Sequence, residues 1–317
     1  MSDLPKFVEL HEEGPREGFQ IEKKHYPIEQ RAALVEAIAE AGVKKIQVGS
    51  YVSPRAVPTM ADSGDLFKII KRKEDVRYTL LWLNEKGFQQ AYDTPGISLD
   101  PKLLFYTTDE FSQRNNNCTS AEMRERQKGW LDAYQAKGLG VETAYIVTAF
   151  GCNFEGHVPI KAVTDNVQWI LDTFAERDLS LPNIILADTV GWANPLEVKR
   201  RIGAVREMVP DARIGMHIHD TRGAGIANFV AAMEMGVDLF EGSVAGLGGC
   251  PFAGHGDFNA AGNVCTEDMV FIAQEMGIET GIDLDKLVDA ARLAEEIIGR
   301  PLNGRVMHSG SLNKFKR

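Results

Sequence analysis

The chain has 317 residues, 44% of them hydrophobic, and 45 acidic against 35 Lys and Arg side chains give it a net charge of -10. A chain of that size and apolar content can bury a large core, as one barrel or as two smaller domains. The acidic balance argues against a nucleic-acid surface, which needs clustered Lys and Arg, but it leaves room for local cations that hold a small anion. No window reaches the apolar length that spans a bilayer, and Met1-Ser2-Asp3-Leu4-Pro5-Lys6 lacks the apolar core of a signal peptide, so a cytoplasmic protein without a membrane partner is expected. Cys118, Cys152, Cys250 and Cys265 have no framework spacing and are expected to be thiols.

In chain order, Phe7 to His11 predicts a first strand, followed by a polar glycine loop and a helix over Ile28 to Ala41 with Leu34, Val35, Ile38 and Ala41 on one face. Further strands are predicted at 45–48, 76–83, 102–106, 141–147, 183–187, 213–218 and 237–241. Helical patterns fall at 121–137, 162–175, 195–208, 226–235 and 266–276, and Asp283 to Ile298 predicts a further amphipathic helix. Eight strands alternating with helices predict a (β/α)8 TIM barrel, for which ~250 residues is typical. No linker divides the chain. The expected organisation is a single domain over 1–317 with a C-terminal extension at 283–317. A doubly wound sheet is the competing fold, and Gly14-Pro15-Arg16-Glu17-Gly18 does not match its phosphate loop.

Barrel chemistry belongs at the C-terminal ends of the strands. There the sequence places Arg16, Glu17 and Gln20, then Gln47 to Ser53, Asp188-Thr189, His217 and His219, and the long loop from Gly246 to Asn263. Residues two apart on a strand share a face, so His217 and His219 present two imidazoles about 7 Å apart along the chain. That suits two neighbouring ligands of one metal ion. A pair of buried structural histidines is the competing reading.

Gly14-Pro15-Arg16-Glu17-Gly18-Phe19-Gln20, Ser50-Tyr51-Val52-Ser53-Pro54, Asp188-Thr189-Val190-Gly191, His217-Ile218-His219-Asp220-Thr221 and Gly246-Leu247-Gly248-Gly249-Cys250-Pro251 resemble the successive motifs of the 3-hydroxy-3-methylglutaryl-CoA lyase family. That family sits in the wider group of metal-dependent TIM-barrel lyases and condensing enzymes, and the cysteine motif is specific to the lyase branch. The resemblance implies Mg2+ or Mn2+ held by Glu17, His217, His219 and Asn263, and a CoA thioester or related hydroxy acid as the small-molecule substrate. It implies Cys250 as proton donor to the released enolate, Arg16 as stabiliser of enolate charge, and Asp188 as proton acceptor or orienting partner of a histidine. His217 counts with these as catalytic. Gln20, Gln47, Ser50 and Arg222 are the candidate substrate-binding residues, and the group implies a homodimer.

Three positions depart from the family pattern. Glu17 stands where aspartate is expected, Gln47 where glutamate is, and Arg222 where tyrosine is; the loop after Cys250, with His255 and Asp257, is also longer. Changes confined to the catalytic rim point to a substrate other than the usual one. The alternatives are a condensing enzyme or aldolase of the same group, and a non-catalytic barrel that binds a metal or acyl-CoA.

Overall fold

The computed structural model of the protein describes residues 4–249 and 262–315. In chain order the elements are β1 (Glu9–Glu12), α1 (Gly14–Ile21), α2 (Ile28–Glu40), β2 (Lys45–Ser50), α3 (Ser63–Ile69), β3 (Arg77–Leu81), α4 (Glu85–Tyr92), β4 (Lys102–Tyr106), α5 (Asp109–Asn116) and α6 (Ser120–Gln135). They continue as β5 (Thr143–Val147), a short hairpin β6 (Gly151–Cys152) and β7 (Gly156–His157), α7 (Ile160–Glu176), β8 (Asn183–Asp188), α8 (Pro195–Met208), β9 (Ile214–Ile218), α9 (Gly225–Glu234), β10 (Leu239–Gly242), α10 (Thr266–Glu275), α11 (Leu284–Ile298) and α12 (Val306–Ser309).

Two compact units make up the chain. One is built on Asp100–Leu239 and carries the strand order β9-β8-β5-β4, every pair of neighbours parallel. The other combines Lys6–Leu99 with the described parts of Phe240–Pro251 and Ala261–Arg317, and carries β3-β2-β1-β10. Eight strands, each leading into helix, give the (β/α)8 TIM-barrel fold.

Local chemistry fixes the helix starts. Asn194 accepts from the backbone N–H groups of Leu196 and Glu197, with Pro195 opening α8, while Thr119 and Glu122 close a reciprocal capping box on α6. In the second unit, α11 packs on α2 and on the turn at 244–246, burying Leu287, Val288, Ala290 and Ala291. Burial of each large apolar side chain is worth about 1.5–3 kcal/mol, so this face is committed to its own chain.

The eight predicted strands are present with ends shifted by at most two residues. The short helices α3, α4, α5 and α12 were not predicted, and two further features differ from the sequence reading. The predicted glycine loop after β1 is the helix α1: two glycines in eight residues mask its propensity, but Pro15 opens it and it buries Gly14, Pro15, Gly18 and Phe19. The β6–β7 hairpin, two residues per strand, is too short to leave a periodic signal.

Candidate active site

In the second unit, α1 begins two residues after β1 and so carries its first turn at the C-terminal end of that strand. Arg16 is the hub there. Its Nη2 donates to Glu13 Oε2 and to Glu17 Oε1, both at 2.8 Å, and its Nε donates to Gln47 Oε1 from β2. Burial works against the Arg16 charge, but the carboxylates of Glu17 and Glu13 outweigh it and raise the guanidinium pKa. Asn263 joins from the other end of the chain, its Nδ2 donating to Glu17 Oε2 at 2.6 Å.

That amide orientation is fixed, because Oδ1 facing a carboxylate would repel it. It leaves Asn263 Oδ1 buried with no hydrogen-bond partner among the described residues. An orphaned buried acceptor costs about 1–3 kcal/mol, and a cation is the partner that satisfies an oxygen beside a carboxylate. The donor chemistry of Glu17 and Asn263 therefore fits a hard divalent ion.

Beneath these residues a set of buried carboxylates braces the start of the cysteine loop. Glu12 Oε1 accepts from the N–H groups of Gly14 at 2.9 Å and Val244 at 2.8 Å, and its Oε2 accepts from Thr266 Oγ1 at 2.6 Å. Glu267 Oε2 accepts from Ala245 N at 3.0 Å and holds a non-glycine residue at φ 58°, a left-handed conformation that costs of order 1 kcal/mol. Burial pushes Glu12 up to about 7 and Glu267 up to about 8, in each case against hydrogen bonds that act the other way. Gly248, at φ +86°, passes so close to Glu17 that a Cβ there would stand 2.6 Å from Glu17 Cβ. Only glycine suits both the conformation and the approach.

The first unit supplies the histidines. His217 lies in β9 and His219 just beyond it, with exposures of 8% and 3%. Their Nε2 atoms stand 3.1 Å apart. Two donors about 2.1 Å from one ion at a right angle are about 3.0 Å apart, so this pair has the spacing of neighbouring ligands. Asp188 ends β8; its Oδ1 accepts from Trp192 N at 2.7 Å and Ala193 N at 3.0 Å, while Oδ2 is buried without a hydrogen-bond partner among the described residues. Burial pushes its pKa up to about 7, against those two hydrogen bonds and the charges of His217 and Arg222. Asp188 can thus exchange a proton near neutrality through Oδ2.

Arg222 is exposed, but its Nη1 is committed, donating to Val190 O at 3.0 Å and Gly191 O at 2.8 Å. Its guanidinium carbon lies 5.8 Å from the centroid of the Trp192 ring. Gly191, at φ +65°, allows the close approach of Thr221, the residue before Arg222, since a Cβ there would meet Thr221 at 2.5 Å. Among the described residues the Nε–Nη2 edge of Arg222 has no hydrogen-bond partner.

Among the predicted site residues, Arg16, Glu17, Gln47 and Asn263 are joined by hydrogen bonds in one unit, and His217 with His219 in the other. Ser50 is the last residue of β2 and lines a pocket of about 240 Å³ with Tyr51, Met60, Asn84 and Lys86; its Oγ is buried and unpartnered. Gln20, in the last turn of α1, has a buried Oε1 with no partner among the described residues. Cys250, with His255 and Asp257, lies outside the described residues. Sequence reasoning missed Glu13, whose signal was a second acidic residue just before the Gly14-Pro15 helix start. It also missed Trp192, an exposed aromatic immediately after the Asp188 turn.

The HMGL-like family model matches residues 7–294. The chain belongs to the HMGL-like family. The mitochondrial hydroxymethylglutaryl-CoA lyase of Mus musculus is 35% identical over 306 residues, covering 96% of this chain and 90% of that one. A Pseudomonas aeruginosa protein named 3-hydroxy-3-isohexenylglutaryl-CoA/hydroxy-methylglutaryl-CoA lyase is 35% identical over 303 residues, covering 96% and 97%. The structure of an HMG-CoA lyase from Acinetobacter baumannii in complex with coenzyme A and 3-methylmalate superimposes with a TM-score of 0.86 at 31% identity, covering 98% of each chain. The HMGL-like relatives are carbon-carbon lyases by name, and the fold and sequence of this chain match theirs over nearly its whole length.

Proposed function

We propose that this protein is a divalent-cation-dependent lyase that cleaves the carbon-carbon bond of a 3-hydroxy acyl-CoA of the hydroxymethylglutaryl-CoA type, giving acetyl-CoA and a keto product. The single observation that carries the reading is the orphaned Asn263 Oδ1 beside Glu17, in a chain whose family match runs through both that pair and the His217–His219 pair. Glu17, His217, His219 and Asn263 would hold the ion. Oxygen donors suit Mg2+, and two imidazoles move the preference toward Mn2+. When bound, the ion polarises the substrate hydroxyl and carbonyl oxygens and makes the hydroxyl easier to deprotonate.

The remaining steps fall to the chain's own side chains. Asp188 Oδ2 takes the hydroxyl proton, which a carboxyl with a pKa of about 7 can accept and release at neutral pH. Arg16, held by three neighbours, presents fixed positive charge to the developing enolate, a stabilisation that needs no reorganisation in the transition state. Cys250, by its family motif, supplies the proton that quenches the enolate. Gln47 Nε2, buried and without a partner, and Ser50 Oγ are donors for the substrate's oxygens. The Nε–Nη2 edge of Arg222 offers a two-point contact to a carboxylate.

Coenzyme A as the thiol carrier is supported by the bound coenzyme A of the Acinetobacter relative. The reading takes 1–317 as one catalytic domain. Among the described residues no helix is long and apolar enough to cross a membrane. Cytoplasmic location and a homodimer complete the proposal, and a dimer would have to use a face other than the buried one of α11. The test is cleavage of hydroxymethylglutaryl-CoA by the purified protein in Mn2+ and in Mg2+, with chelator as control.

A further inference from the structure

The Arg16 guanidinium is held by three side chains, and its partners are unequal. Gln47 brings only an amide dipole, with Oε1 turned to Arg16 Nε and Nε2 left unpartnered. Two carboxylates, Glu17 and Glu13, share the single Nη2 nitrogen at 2.8 Å each. Glu17 is the one assigned to the divalent ion. Once its charge is directed to that ion, Glu13 is the only one of Arg16's described hydrogen-bond partners left with a full negative charge for the guanidinium. Its side chain is 4% exposed and that of Arg16 13%, so water screens the pair weakly. Without Glu13, a barely hydrated guanidinium would stand beside a dication, each repelling the other through Glu17.

We infer that Glu13 is a positioning residue: it neutralises and orients Arg16 so that Glu17 is released to hold the divalent ion while Arg16 stays aimed at the substrate. Glu13 touches neither ion nor substrate. Its placement follows from α1, where residues three apart share a face and Glu13, just ahead of the helix, meets Arg16 in the first turn. The inference rests on the proposed ion-dependent lyase reading, and it gains a second, independent handle from Gln47. Position 47 already faces the Nε side of the same guanidinium. A carboxylate placed there should take over the role of Glu13.

The test uses the full-length chain and two readouts, Mn2+ affinity by titration calorimetry without substrate, and steady-state cleavage of hydroxymethylglutaryl-CoA. Glu13→Gln, which keeps the shape and removes the charge, is expected to weaken Mn2+ binding about tenfold or more and to lower kcat by at least that factor with KM changed less than threefold. Glu13→Gln combined with Gln47→Glu is expected to regain most of both. Thermal melts of each variant identify a folding failure; if Glu13→Gln does not fold, Glu13→Asp and the double variant carry the comparison. Wild-type binding and kcat in Glu13→Gln overturn the inference, and so does a folded double variant that recovers neither. If the wild-type chain binds Mn2+ but cleaves no substrate, the lyase reading fails, and the Mn2+ titrations still decide the role of Glu13.

Discussion

Asn263→Ala separates a structural asparagine from a ligand. In the metal-free protein the substitution removes the 2.6 Å bond from Nδ2 to Glu17 Oε2, a charge-assisted contact worth about 1.5–3 kcal/mol. It also removes the buried, unpartnered Oδ1, whose burial costs about 1–3 kcal/mol. The two effects oppose each other, so stability in chelator should change by no more than about 2 kcal/mol. With a divalent ion the balance is lost, because Oδ1 is then a ligand and the orphan penalty has already been relieved. A hundredfold weaker Kd reduces the stabilisation by saturating ion by about 2.7 kcal/mol. Thermal melts of wild type and variant, in chelator and in Mn2+, together with direct Mn2+ titration, read both effects. Little change in chelator and a much smaller Tm rise with Mn2+ is the expected result. An unchanged Mn2+ affinity, or a loss of several kcal/mol already present in chelator, would refute the reasoning.

Burial holds Glu267 at about 8 in the folded chain, above the 4.5 of an ordinary glutamate, so the folded state binds its proton more tightly than the unfolded chain. The stability it contributes is complete below pH 4.5 and drains away as pH rises toward and through 8; Glu12, at about 7, acts with the same sign. Glu267→Gln keeps an acceptor for Ala245 N without the titration, and its Tm should fall less between pH 6 and 9 than that of wild type; parallel curves would show that Glu267 is not titrating there. Arg222→Ala should raise KM by about tenfold or more with kcat within a few-fold, because the two-point contact is lost. Arg222→Lys, unable to brace on Val190 O and Gly191 O while presenting a planar edge, should fall between; wild-type kinetics in both variants remove Arg222 from substrate binding. Cys250→Ala is expected to abolish turnover while leaving Mn2+ binding intact, and an active variant would remove the proton-donor assignment.

What could be read from sequence follows from how local each signal is. His217 and His219 were legible because strand alternation alone puts them on one face, and their Nε2 atoms do meet. Asp188 was legible as a polar stop to an apolar strand, but its raised pKa was not, since that depends on how deeply the folded chain buries it. Asn263 lies 246 residues from the carboxylate it binds, so nothing in its neighbourhood marks it and only the family resemblance singled it out. The helix α1 read as a loop because its glycines serve tight packing and not helix propensity. Arg222 read as a bare cation at the mouth; the fold instead spends one nitrogen on two backbone carbonyls and leaves one edge. Glu13 and Glu12 are adjacent glutamates with opposite duties, one paired to Arg16 and the other accepting backbone bonds from Gly14 and Val244. Sequence alone cannot tell them apart.

The most direct measurement is release of acetyl-CoA in a coupled assay, with hydroxymethylglutaryl-CoA and a panel of other 3-hydroxy acyl-CoA substrates, run in Mn2+, in Mg2+ and after chelation. Cleavage of at least one panel member at ordinary enzyme rates of about 1 s⁻¹ or more, lost on chelation and restored by the ion, is the predicted result. Cleavage of hydroxymethylglutaryl-CoA itself would mean that Glu17 and Gln47 are tolerated variations, and cleavage of another member alone would mean that the rim has changed its substrate. Stoichiometric bound ion with no cleavage of any member, or cleavage indifferent to chelation, would contradict the central claim.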